Sequence, residues 1–156
     1  MKTGIGKLMK RGLPQIIIMG IVFITFCVTL LFIISGESKR MEFLFPSTDS
    51  NALVVEYRDL SEKAVQGNVR FFVDELLLGS GVERTKMLFM PGTKVLSCFQ
   101  RESTLYLNLS TDLLFESSNV IPLKEGISLL EKNIKLNFPD IKIVELFVDG
   151  NKAFEI

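Results

Sequence analysis

The chain has 156 residues, room for one domain, and its 47% hydrophobic and 23% charged content is ordinary for a globular protein. Its 18 basic and 18 acidic residues cancel overall, but Lys2, Lys7, Lys10 and Arg11 all precede the first acidic residue, so the rest of the chain carries 14 basic against 18 acidic side chains, a net of −4. An acidic balance speaks against nucleic acid as a partner, and the lack of any histidine removes the commonest general base and metal ligand together.

From Gly12 to Gly36 no charged residue occurs. The core of this run, Ile16 to Ile34, would span about 28 Å as a helix, close to the roughly 30 Å of a bilayer's hydrocarbon core. A transmembrane helix is expected over residues 13–34. A cleaved signal peptide has a shorter apolar region and a small-x-small exit, whereas this run leaves through Ser35-Gly36-Glu37-Ser38. Cys27 follows the bulky Phe26 and precedes more apolar residues, so it reads as part of the span and not as a lipid site. The basic tail, residues 1–12, predicts a cytoplasmic N-terminus. The expected location is the cytoplasmic (inner) membrane, single-pass, with the C-terminal domain in the periplasm or at the cell surface. Residues 35–51 are polar and broken by Pro46, which predicts a linker.

The expected domain is 52–156. Ala52 to Arg58 reads as a strand with Leu53, Val55 and Tyr57 on one face. Asp59 and Ser61, the former with Glu62 three residues on, offer caps for a helix whose stripe is Val65, Val69, Phe72, Val73 and Leu76. Gly79-Ser80-Gly81 stops it. Met90-Pro91-Gly92-Thr93 is a turn, Lys94 to Phe99 a strand, and Thr104 to Ser110 its hairpin partner, with Leu105, Leu107 and Leu109 inward. Pro122 opens a second helix along Leu123, Ile127, Leu130 and Ile134, and Pro139 ends it. Ile141 to Val148 is a strand, and Asp149-Gly150 turns it into Lys152 to Glu155. The order βα-ββ-α-ββ predicts an α+β fold, a small mixed or antiparallel sheet with two helices packed on one face.

Chemistry is sparse. Cys98 has no second domain cysteine for a disulfide or zinc site and no imidazole to activate it. No glycine-rich phosphate loop leads into a helix. Asp74 with Glu75, and Asp112 with Glu116, read as solvated surface. No catalytic, cofactor-binding or metal residue is assigned, and the expectation is a protein that is not an enzyme and needs no cofactor.

Leu76-Leu-Leu-Gly79, Pro91-Gly-Thr-Lys-Val-Leu-Ser97, Leu105-Tyr-Leu-Asn-Leu-Ser110 and Val144-Glu-Leu-Phe-Val-Asp-Gly150 occur in the order and spacing of the GerMN domain of sporulation and germination proteins, which the chain resembles over residues 52–156. It departs from that pattern at Asn108, where Asp is usual, and at Ser80, where a Pro would fall. The resemblance implies a compact α/β fold similar to ring-building motifs, which assemble envelope complexes through lateral contacts. It implies a non-enzymatic, membrane-anchored extracytoplasmic interaction module taking part in assembly of a cell-envelope protein complex. Its partners would be envelope proteins or further copies of itself, with the membrane holding the anchor. A single copy is present, and a sporulation role does not carry over. The alternative expectation is a sensor or carrier domain for a small envelope ligand such as a glycan fragment, which requires a concave pocket.

Overall fold

The computed structural model describes residues 17–30, 38–61 and 67–153, which fall into two units divided after Glu37. In the first unit residues 17–30 form a helix, α1. Fourteen residues at 1.5 Å each reach about 21 Å. Among the described residues no helix is long and apolar enough to cross a membrane. The span expected over 13–34 therefore lacks a described helix of the necessary length. Its flanks 13–16 and 31–34, like the basic tail 1–12, lie outside the described residues.

The second unit begins with a strand where a linker was expected. β1 (Ser38–Pro46) pairs antiparallel with β2 (Leu53–Ser61) over nine positions, from Ser38 opposite Ser61 to Pro46 opposite Leu53. The reason is period-two alternation: Met41, Phe43 and Phe45 all point into the core and are buried. Pro46 ends the strand instead of marking a linker. In β2 the expected face of Leu53, Val55 and Tyr57 exists, but it is turned to solvent, with the Arg40 guanidinium 4.5 Å from the Tyr57 ring. The opposite face, including Arg58 and Leu60, looks inward.

α2 (Asn68–Leu77) starts later than expected. Asp59 sits in β2 opposite Arg40, so neither it nor Ser61, the last residue of β2, caps the helix; Gly67, with φ 88°, precedes the first turn instead. Glu62 and Val65 lie outside the described residues. Phe72, Val73 and Leu76 form the buried stripe, and Gly79, with φ 87°, ends the helix in the left-handed region that glycine tolerates.

β3 (Val95–Arg101), β4 (Thr104–Leu109), β5 (Ile143–Val148) and β6 (Asn151–Lys152) form a second sheet in that spatial order. β3 and β4 are antiparallel, β4 and β5 parallel, and β5 and β6 antiparallel. The mixed sheet is as expected, but a second, two-stranded sheet stands beside it. α3 (Leu123–Asn137) connects β4 to β5 after a 3-10 turn at Thr111–Leu114. α2 packs chiefly on β3 and α3 on β1, and both contribute to the same core as Leu105, Leu107 and Leu109. Leu105, Leu107 and Leu109 are fully buried, and an aromatic chain runs from Phe43 to Phe72 (4.6 Å, stacked) and on to Phe138 (5.5 Å, edge-on). This chain links β1, α2 and the end of α3.

Candidate interaction surface

Three of the four carboxylates singled out in the sequence are engaged, each in its own place. Asp74 lies 3.8 Å from Arg70, and burial raises its pKa. Glu75 accepts from Arg58 at 3.3 Å. Asp112 accepts from the Ser110 hydroxyl at 2.7 Å, and Glu116 is exposed. Among the described residues no group of three or more His, Cys, Asp or Glu is placed to hold a metal ion. The Cys98 thiol is pushed up to about 11 by burial, with the Arg70 charge opposing and the Asp74 charge adding. At neutral pH it is a protonated, poor nucleophile.

Arg58 is a tie that sequence reasoning missed. Its Nη2 donates to the Gly79 carbonyl at 2.6 Å and its Nη1 to the Glu75 carbonyl at 3.0 Å, satisfying acceptors at the end of α2. Its Nε donates to Glu56 at 2.8 Å, and its plane lies 4.8 Å from the Phe43 ring. Glu56 in turn accepts from the Ser80 hydroxyl at 2.6 Å and the Gly81 N–H at 3.2 Å. The Arg58 bond holds the Glu56 carboxyl below its usual range despite burial. The only sequence signal was a charged pair on the inward-facing residues of a strand.

The four-stranded sheet buries one face and leaves the other open. On the open face Phe99 and Tyr106 are cross-strand partners whose rings stack 4.9 Å apart at 10°. Phe99 is 57% exposed, and the half-buried Phe147 adds to the patch across Asn108, while Ile143, 50% exposed, is separated from Phe147 by Glu145 on the same face of β5. Polar groups border the patch, Arg101 and Ser97 along β3 and, directly across from Tyr106, Glu145 in its ion pair with Lys152 at 2.9 Å. A shallow depression of about 250 Å³ opens between Phe99, Tyr106, Asn108 and Phe147. Exposed aromatic surface bordered by polar and charged groups is compatible with a protein–protein contact.

No family model matches the chain. A protein described as an uncharacterized lipoprotein of Treponema pallidum (strain Nichols) is 36% identical over 89 residues, which is 57% of this chain and 66% of that relative's length, just under two thirds. The first GerMN domain of the sporulation protein GerM from Bacillus subtilis superposes with a TM-score of 0.58 at 11% identity, over 74% of this chain and 86% of that one. The fold is GerMN-like. The tandem GerMN domains of the same protein superpose at 0.51 and 19% identity, over 74% of this chain and 39% of the tandem. The single-pass location with a cytoplasmic N-terminus is corrected by two findings: no described helix is long enough to span, and the relative is a lipoprotein, a class held by lipid instead of by a spanning helix.

Both departures from the GerMN pattern have a physical reading. Asn108 Oδ1 accepts from the Gly150 N–H at 3.0 Å, an acceptor that an aspartate oxygen supplies equally. It pins the Asp149-Gly150 turn, where φ is 48° and 80°, to β4. Ser80 uses its hydroxyl on Glu56 and accepts from the Val82 N–H at 2.9 Å, neither of which proline can do.

Proposed function

We propose that the chain is an extracytoplasmic, lipid-anchored, non-enzymatic interaction module that takes part in assembling a protein complex of the cell envelope. Its contact surface is the open face of the four-stranded sheet. The observation that carries this reading is the Phe99–Tyr106 stack, an exposed phenylalanine on a half-buried tyrosine, on a sheet whose other face is the core. The first occupant is a second copy of the chain. The GerMN-like tandem holds two such domains in one polypeptide, and anchored single domains gain a comparable effective concentration by sharing a plane. The relative's description as a lipoprotein supports the lipid anchor. A lipid on this chain would fall on Cys27, since its other cysteine, Cys98, belongs to β3; this replaces the expectation, drawn from Phe26 and the apolar residues after it, that Cys27 is only part of a span.

Sedimentation of the detergent-solubilised full chain tests the contact. The wild type is expected to form dimers or larger species, and Phe99→Glu to be monomeric with an unchanged melting temperature. A wild type that is monomeric at every concentration counts against self-association.

A further inference from the structure

We infer that the cleft between the β1–β2 turn and α3 binds a sugar bearing an anionic group, a phosphate or a carboxylate. The cleft measures about 640 Å³, within the range of small-molecule sites, and shares no residue with the open sheet face. One wall is the stripe Lys124, Ser128 and Lys132, which the i, i+4, i+8 spacing places along one side of α3. Ser47, Ser50 and Asn51 of the turn and Lys86 complete the lining; the Ser47 and Ser50 hydroxyls accept from the Asp49 and Ala52 N–H groups at 3.2 and 3.3 Å and keep their own protons to donate. None of the three lysines makes an ion pair among the described residues. Glu125 is the single carboxylate in the lining, so the cleft is locally +2 on a part of the chain that is −4.

Its walls are held before any ligand arrives. The Lys86 N–H donates to the Pro46 carbonyl at 2.8 Å, Thr48 N–H to Arg84 at 2.9 Å, and Ile121 N–H to Met87 at 3.1 Å. Strand end, loop and helix approach are thereby stitched into one frame, which lowers the ordering cost of binding. Unpaired ammonium groups call for an anion. Leu53, exposed in the lining beside Ala52, offers apolar surface to the C–H face of a sugar ring, and the hydroxyls and amide match ring hydroxyls. A bare phosphate would use only the lysines.

Calorimetric titration of the full chain in neutral detergent, with glucose 6-phosphate, glucuronate, glucose and inorganic phosphate as probes, tests the assignment. Glucose 6-phosphate and glucuronate are expected to bind at least about tenfold more tightly than glucose or inorganic phosphate, the scale of one charge-assisted hydrogen bond. Lys124→Gln with Lys132→Gln should weaken both anionic sugars at least about tenfold at an unchanged melting temperature. Lys94→Gln and Phe99→Glu should leave them unaffected, the latter separating this site from the sheet-face contact. The inference is overturned if neither anionic sugar gives heat, if glucose or phosphate binds equally well, or if the double variant binds as the wild type does. It is equally overturned if the chain binds vesicles of phosphatidylcholine and phosphatidylglycerol through these lysines but neither soluble sugar.

Discussion

Asn133 and Leu44 are joined by two hydrogen bonds that make a helix side chain serve as a strand neighbour. The Leu44 N–H donates to Asn133 Oδ1 at 2.7 Å, and Asn133 Nδ2 donates to the Leu44 carbonyl at 3.1 Å. One turn on, Asn137 repeats the pair on Glu42 at 2.9 and 2.7 Å. β1 is thus paired to β2 on one side and, at Glu42 and Leu44, to amides of α3 on the other, so this part of its edge offers no template to another chain. Asn133 is 0% exposed, and truncating it leaves two backbone groups of β1 buried and unpaired. Asn133→Ala is expected to lower stability by about 2–4 kcal/mol, and the less buried Asn137→Ala by less, in urea unfolding.

The Glu56 link gives stability a defined pH dependence. Arg58 lowers the folded pKa of Glu56 below the ordinary 4.5, so the unfolded state binds a proton first as pH falls. Its contribution is fully present above 4.5 and disappears as pH drops through the folded value. Glu56→Gln should therefore be less stable than wild type at pH 7, and the gap should close in acid, as read from urea midpoints across a pH series.

Gly126 holds α3 against the loop that carries Lys86. A Cβ there would lie 2.6 Å from the Leu88 carbonyl oxygen and 3.0 Å from the Phe89 ring. Backbone cannot yield as a flexible side chain can, so Gly126→Ala should destabilise by about 1–3 kcal/mol despite alanine's better helix propensity, as thermal unfolding would show.

Cys98 should resist alkylation. With its pKa near 11, iodoacetamide at pH 8 is expected to modify it far more slowly than a free peptide thiol, and at full rate only in denaturant, as mass spectrometry would record.

Much of the fold was legible where one periodicity ruled. Leu105, Leu107 and Leu109 alternate and are buried, and Ile127, Leu130 and Ile134 keep helical spacing and are buried. Pro91-Gly92 and Asp149-Gly150 turn where their φ preferences require. β1 was misread because Pro46 and the polar residues around it hid the alternation of Met41, Phe43 and Phe45, and because its second partner is a pair of asparagines about 90 residues away, 89 for Asn133 with Leu44. Asn133 and Asn137 lie at i, i+4 beside an apolar stripe, a local pattern equally consistent with a solvated face. The outward placement of Tyr106 was readable from alternation, but its pairing with Phe99 depends on hairpin register. The basic cleft joins residues 46 to 132, so only its α3 stripe had a signal in the sequence.

Site-specific photo-cross-linking in intact cells tests the docking face most directly. With a benzophenone amino acid at Phe99, the proposal predicts a cross-linked dimer of the chain. The same probe at Tyr57, an exposed aromatic on the other sheet, should give none. Adducts from position 57 but none from position 99, or no protein adduct at either, would contradict the open sheet face as the contact surface.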